Sequence, residues 1–191
     1  MQGAAEGGVA GRLFHFSEDG AIERFMPRPV RRPAARPPGR DWLNGPLVWA
    51  IDEDWQALYL FPRDCPRIVL RPLPTTSAAD LDYWWGSREC RMIAHIEWGW
   101  FERLKTTRLF RYTLPAATFE DLHDHGAHVG REPVEPEVVE VIDDLPAALA
   151  AEGVELRLMP SLHPLRGVWD TTLHASGLRL RNVQGGWEGA P

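Results

Sequence analysis

Lysine is almost missing from this chain: Lys105 is the only one, and arginine supplies the rest of the 21 basic residues. Cysteine is scarce as well, with Cys65 and Cys90 alone. Two cysteines by themselves make no zinc site, and a structural disulfide between them is not expected. No apolar run approaches the roughly 20 residues that span a bilayer. Residues 1–10 are small and polar, without the basic start and apolar middle of a secretion signal. These absences lead to the expectation of a cytoplasmic protein with reduced thiols, no membrane partner and no metal. Net positive charge is lacking too: the formal charge is −6, which removes any global case for nucleic-acid binding.

What remains is a chain of 191 residues, 44% of them hydrophobic, enough for one domain with a full core. Nine tryptophans favour core packing first and pocket lining second. The arginine bias suits anion binding, because a guanidinium holds phosphate or carboxylate through a fixed fork of donors; codon usage explains it equally well.

Residues 1–11 read as a disordered tail, 12–184 as a single domain and 185–191 as a flexible tail. Within the domain, 27–45 is an Arg/Pro-rich loop, since proline blocks both helix and sheet. Short apolar or alternating runs predict strands over 13–16, 47–51, 68–70, 92–97, 109–114, 138–142, 154–158 and 178–183. Short helices are expected near 52–59, 98–104 and 145–152, the last capped by Asp144 and ended by Gly153. Residues 72–79 and 119–131 read as loops. Strands predominate without regular βαβ alternation, which predicts an α+β fold with a mixed or mostly antiparallel sheet and short flanking helices.

Several polar groups stand among these runs. His15 lies between Phe14 and Phe16, so it points away from their face and can bond a ligand or carry a proton. Arg63 and Arg67 flank Asp64-Cys65-Pro66 and can clamp a phosphate or carboxylate. The structural alternative is a turn in which Asp64 pairs with one arginine. Cys65 has basic neighbours but no partner base for a catalytic thiol. His123, His125 and His128 are spaced for metal, yet such polar loops are more often solvated. His95 and Glu97 share a strand face and read as satisfied core polar groups. Glu132, just before a strand, can stabilise an oxocarbenium-like sugar cation or pair with Arg131.

The runs LFHFSEDG, VWAID, YLFPRDCPR, HIEWGW and REPVEP resemble an uncharacterised bacterial family, which implies no function. The order of an early strand ending in His, a strand followed by an Ala-x-x-Tyr helix and a late Glu-Pro-Val-x-Pro segment is similar to ADP-ribosyltransferase-like proteins. That resemblance implies a split sheet binding NAD in its cleft. It would place His15 on the cofactor ribose and Trp49 or Tyr59 against nicotinamide. Arg28, Arg63 and Arg67 would meet phosphates, and Glu132, or Glu135, would take the late acidic position. The second strand departs from the pattern, having no Tyr or His where nicotinamide usually stacks.

Three functional classes follow. The leading one is an ADP-ribosyltransferase-like enzyme binding NAD or another phosphorylated nucleotide near His15. The second is a non-catalytic module, with an aromatic cleft for a small ligand or nucleotide and the Arg/Pro loop for nucleic acid or an acidic partner. The third is a metal-dependent hydrolase at the His123 cluster.

Overall fold

The computed structural model describes residues 11–33, 35–86 and 89–187. The expected tail over 1–11 lies outside the described residues except for Gly11, as do 188–191 of the other tail. The chain forms two compact units, each assembled from two stretches: Met1–Gln56 with Phe110–Val141, and Ala57–Leu109 with Ile142–Pro191.

The first unit is built on a six-stranded sheet of order β6-β7-β2-β1-β5-β8. Strand β1 (Leu13–Ser17) pairs antiparallel with β2 (Val48–Asp52) and β5 (Leu109–Leu114). Leu13 stands opposite Leu114 and His15 opposite Tyr112. Cross-strand partners point to the same side, so these four share one face. That face carries the core of Leu13, Phe25, Val48, Ala50, Tyr112, Leu114 and Val134. The other face holds a second cluster of Leu43, Leu47, Leu122 and Val129, with Trp42 and Trp49 against it. Strand β8 (Val138–Ile142) closes one edge.

The stretch 119–131, expected as loop, is instead a hairpin of β6 (Phe119–Asp121) and β7 (Ala127–Gly130). Being at the sheet edge, it needs few inward apolar positions, and Val129 and Leu122 supply them. Its turn places His123, His125 and Gly126 in the left-handed region, at φ of 51°, 45° and 77°.

The second unit carries a four-stranded sheet of order β10-β3-β4-β9. Strand β4 (Met92–Glu97) lies inside it, buried at every position. It pairs antiparallel with β3 (Arg67–Arg71) and parallel with β9 (Val154–Met159). A strand buried on both faces reads as a continuous run, as Met-Ile-Ala-His-Ile-Glu does. Helices α2 (Phe101–Thr106) and α3 (Leu145–Ala151) bury Leu104, Leu145 and Leu149. The Asp144 side chain accepts from Ala147 N–H, and Gly153 leaves α3 at φ 71°.

Two differences from expectation belong to this unit. A helical turn, α1 (Ala78–Asp80), continues as a π-turn over Leu81–Trp85 and buries Trp85. It follows a Ser77 cap that loop composition concealed. The expected strand over 178–183 is split: β10 (His174–Leu178) ends where Arg179 turns left-handed, and Leu180–Asn182 is a 3-10 turn. Leu180 and Val183 are three residues apart and both enter the core. The protein is therefore α+β with mostly antiparallel sheets. Among the described residues, no helix is long and apolar enough to cross a membrane.

Candidate functional site

His15 is half-buried, and a hydrogen bond and a ring contact hold it. Its Nδ1–H donates to the Trp49 carbonyl oxygen at 2.8 Å. Since a carbonyl only accepts, Nδ1 carries the proton and Nε2 of the neutral ring is an acceptor. The ring packs on Phe25 at 4.7 Å, and Phe25 meets Tyr112 edge-on at 5.1 Å. Tyr112, fully buried, donates its hydroxyl to Asp19 O at 2.7 Å and accepts Ile22 N–H at 3.3 Å. The turn after β1 is thereby fastened to β5.

Phe25 also brings in the late acidic segment. Its backbone exchanges two hydrogen bonds with Val134, at 2.8 and 3.0 Å, and Arg24 forms an ion pair with Glu135. Glu132 lies two residues before Val134, exposed, on an open depression of about 450 Å³ that Thr118, Phe119 and Glu120 also line. Arg131 pairs across the hairpin with Glu120 at 3.0 Å rather than with its neighbour Glu132. It also lies over Trp42 at 4.4 Å. Arg28 is exposed, and its backbone is bridged to Leu47 just before β2.

Trp49 contributes to this site through its carbonyl alone. Its register partner is Val129, so its indole sits on the opposite face from His15, in the Leu43–Leu47–Leu122–Val129 cluster. Its Nε1 is buried there with no acceptor, and the Arg36 guanidinium lies 5.8 Å from the ring.

Tyr59, Arg63 and Arg67 belong to the second unit. Arg67 is 3% exposed; Nε donates to Leu58 O at 2.8 Å and Nη1 to Cys65 O at 3.0 Å. Its guanidinium lies over Phe61 at 4.9 Å and Tyr59 at 6.0 Å. Burial lowers its pKa to about 10. Arg67 thus ties the 58–67 segment together from inside, and no surface clamp forms between it and Arg63. Asp64 faces Arg181 at 3.8 Å. Burial pushes the Cys65 thiol up to about 12, although Arg67 and Arg103 favour the thiolate. A thiol held protonated at neutral pH is no nucleophile.

His95 and Glu97 are buried on β4. His95 Nδ1–H donates to Ile68 O at 3.3 Å, and burial lowers its pKa to about 4. Glu97 Oε2 accepts Gln184 N–H at 3.1 Å, whereas Oε1 is buried with no partner. The pair is only partly satisfied. His123 and His128 both face Asp121, at 3.1 and 4.0 Å, whereas His125 packs on Trp55 at 4.9 Å. His128 Nδ1–H also donates to Gly126 O at 3.0 Å. The His123 N–H bond to Asp121 holds that carboxyl below its usual range. Among the described residues no three His, Cys, Asp or Glu side chains converge as metal ligands.

A family model spans residues 14–183, almost the whole described chain. The chain belongs to DUF6886, a family of unknown function. No curated protein and no solved structure shows a significant match. The DUF6886 span opens one residue before His15 and closes at Val183, so it runs through both units. Every candidate residue read from the sequence lies within it.

The contact of Phe25 with His15 was not legible in the sequence. Phe25 looks like half of a helical turn with Ile22, and only its backbone pairing with Val134 reveals its place beside His15. Arg179 follows an apolar strand pattern, and nothing in that pattern announces a left-handed residue.

Proposed function

We propose that the first unit binds a nucleotide of the NAD class beside His15 and that the protein is an ADP-ribosyltransferase-like enzyme. The observation that carries this reading is the Phe25 bridge. Phe25 packs on His15 and pairs through its backbone with Val134, which lies two residues beyond Glu132, and this supports a shared site. The Nδ1–H bond to Trp49 O supports it as well, because it leaves Nε2 of the neutral ring with the acceptor character that a ribose hydroxyl requires.

Roles follow from position. His15 orients the ribose, and the Trp49 carbonyl positions His15. Arg28 supplies charge for phosphate. Trp49 is given no stacking role, because its ring is on the other face. Glu132 opposes the positive charge that develops at C1′. The C1′–N bond breaks and its electron pair leaves with nicotinamide. The acceptor's nucleophile then bonds to C1′ and gives its proton to Glu132 or solvent. Tyr59, Arg63 and Arg67 take no part in this reading.

Titration with NAD tests it. A ligand at ten times its Kd stabilises the native state by about 1.4 kcal/mol, which is read as a rise in Tm. Glu132→Gln is expected to keep that rise and lose nicotinamide release, and His15→Ala to weaken the rise itself. No rise at millimolar NAD, or release unchanged by Glu132→Gln, contradicts the reading.

A further inference from the structure

In the second unit a hydroxyl, an imidazole and a backbone carbonyl form one hydrogen-bonded chain. Ser161 and His163 follow β9 and flank Leu162, which is fully buried in the core of that unit. With Leu162 turned inwards, its two neighbours stay half-buried. Ser161 Oγ and His163 Nδ1 are 2.7 Å apart, and His163 Nε2 lies 2.8 Å from the Gly186 carbonyl oxygen. A carbonyl only accepts, so Nε2 carries the ring proton. Nδ1 of the neutral imidazole then accepts from Ser161 Oγ–H. The order is that of a nucleophile, its base and a group that orients the base.

The fold holds this order in place. His163 opens a 3-10 helix (His163–Asp170) whose Leu165 and Val168 enter the same core as Leu162. Gly186 N–H donates to Val183 O at 2.9 Å, and Val183 is buried in that core too. The Trp187 indole stacks on the imidazole at 5.4 Å with 25° between the planes, which limits rotation of the base. The His163 backbone N–H donates to Ser161 Oγ at 3.2 Å, so a donor already faces the atom that turns negative as its proton leaves. A serine that only capped the turn would need this last bond alone. The imidazole bond and the Gly186 tie go beyond capping. Arg166 lies over the Trp187 ring at 5.1 Å and brings a positive charge beside the stacked pair, the sign that an acyl oxyanion calls for.

We propose that Ser161 is the nucleophile of an acyl-transfer site for small apolar carboxylic esters, with His163 as its general base. The apolar preference follows from Trp187 and from Trp169, whose ring meets it at 6.0 Å. Ser161 Oγ bonds to the acyl carbon as its proton passes to His163 Nδ1. The ester C–O bond breaks, and the leaving alcohol takes that proton. Water then bonds to the acyl carbon and gives a proton to Nδ1. The bond to Ser161 breaks, the acid leaves, and Oγ recovers its proton from Nδ1. The site lies wholly in the second unit and does not depend on the reading of His15.

The test is reaction of the full chain with an alkyl fluorophosphonate, with the modified residue mapped by mass spectrometry. Phosphorus takes the place of the acyl carbon, the Oγ–P bond forms and fluoride leaves, so the adduct persists. The expected result is an adduct on Ser161 that is absent from Ser161→Ala. In His163→Asn, which keeps a polar side chain but no base, it should form at least about a hundredfold more slowly. Tm of each variant establishes that it is folded before labelling. No adduct on Ser161 of the unaltered chain overturns the proposal without recourse to any variant. An unchanged rate at Ser161 in folded His163→Asn overturns it equally.

Discussion

At the residue scale, the surroundings of His15 depend on side chains other than those that hold it. Tyr112 is the clearest case, because its hydroxyl organises the turn that carries Phe25. Tyr112→Phe is expected to cost about 1–3 kcal/mol, since it leaves the Asp19 carbonyl and the Ile22 N–H without that partner. Urea denaturation checks this: the midpoint falls with an unchanged m-value, and a loss below about 0.5 kcal/mol contradicts it. His95 gives a pH prediction. Its folded pKa, about 4, lies below the usual 6.5, so the unfolded chain binds the proton more readily. This contribution to stability is intact above pH 6.5 and is lost as pH falls towards 4. Between pH 7 and pH 5 the loss is about 2 kcal/mol. The pH dependence of stability in His95→Gln should be flatter by that amount, and an identical dependence refutes the assignment.

The same scale shows how far single residues can be read. The facing of His15 follows from strand alternation around Phe14 and Phe16. Its hydrogen bond to Trp49 O does not, because that bond depends on which strand lies alongside. Trp49 carries the same lesson in reverse. Its proximity to His15 in a motif order implied a shared pocket, whereas alternation on β2 sends its ring to the far face.

At the element scale, strong patterns held where packing was two-sided or cleanly amphipathic. Strands β1, β4 and β5, the cap of α3 and its glycine exit are all visible in residue order. The β6–β7 hairpin was hidden because an edge ribbon needs little apolar content, and its histidine-rich turn looked like solvated loop. The 178–183 segment misled because spacing of three and spacing of two coincide over so few residues. For α3 the cap can be tested directly. Asp144→Ala removes the acceptor for Ala147 N–H at 2.9 Å and is expected to destabilise by about 1 kcal/mol. Asp144→Asn should restore most of that, and equal loss in both variants would argue against capping.

At the scale of the molecule, the chain interleaves its two units, leaving the first after Gln56 and returning at Phe110. Such non-local pairing leaves no trace in local periodicity; β1 meets β5 across nearly a hundred residues. The link from His15 through Phe25 to Val134 is likewise invisible in local periodicity, because it joins residues more than a hundred positions apart. The division into units also separates the candidates. His15, Arg28, Trp49 and Glu132 belong to one unit, and Tyr59, Arg63 and Arg67 to the other.

The most direct measurement is nitrogen-15 NMR of the His15 imidazole during titration with NAD. A selective, saturable shift of Nε2, with Nδ1 still protonated and bonded to Trp49 O, is the predicted result. An Nε2 signal unmoved at millimolar NAD would contradict the account.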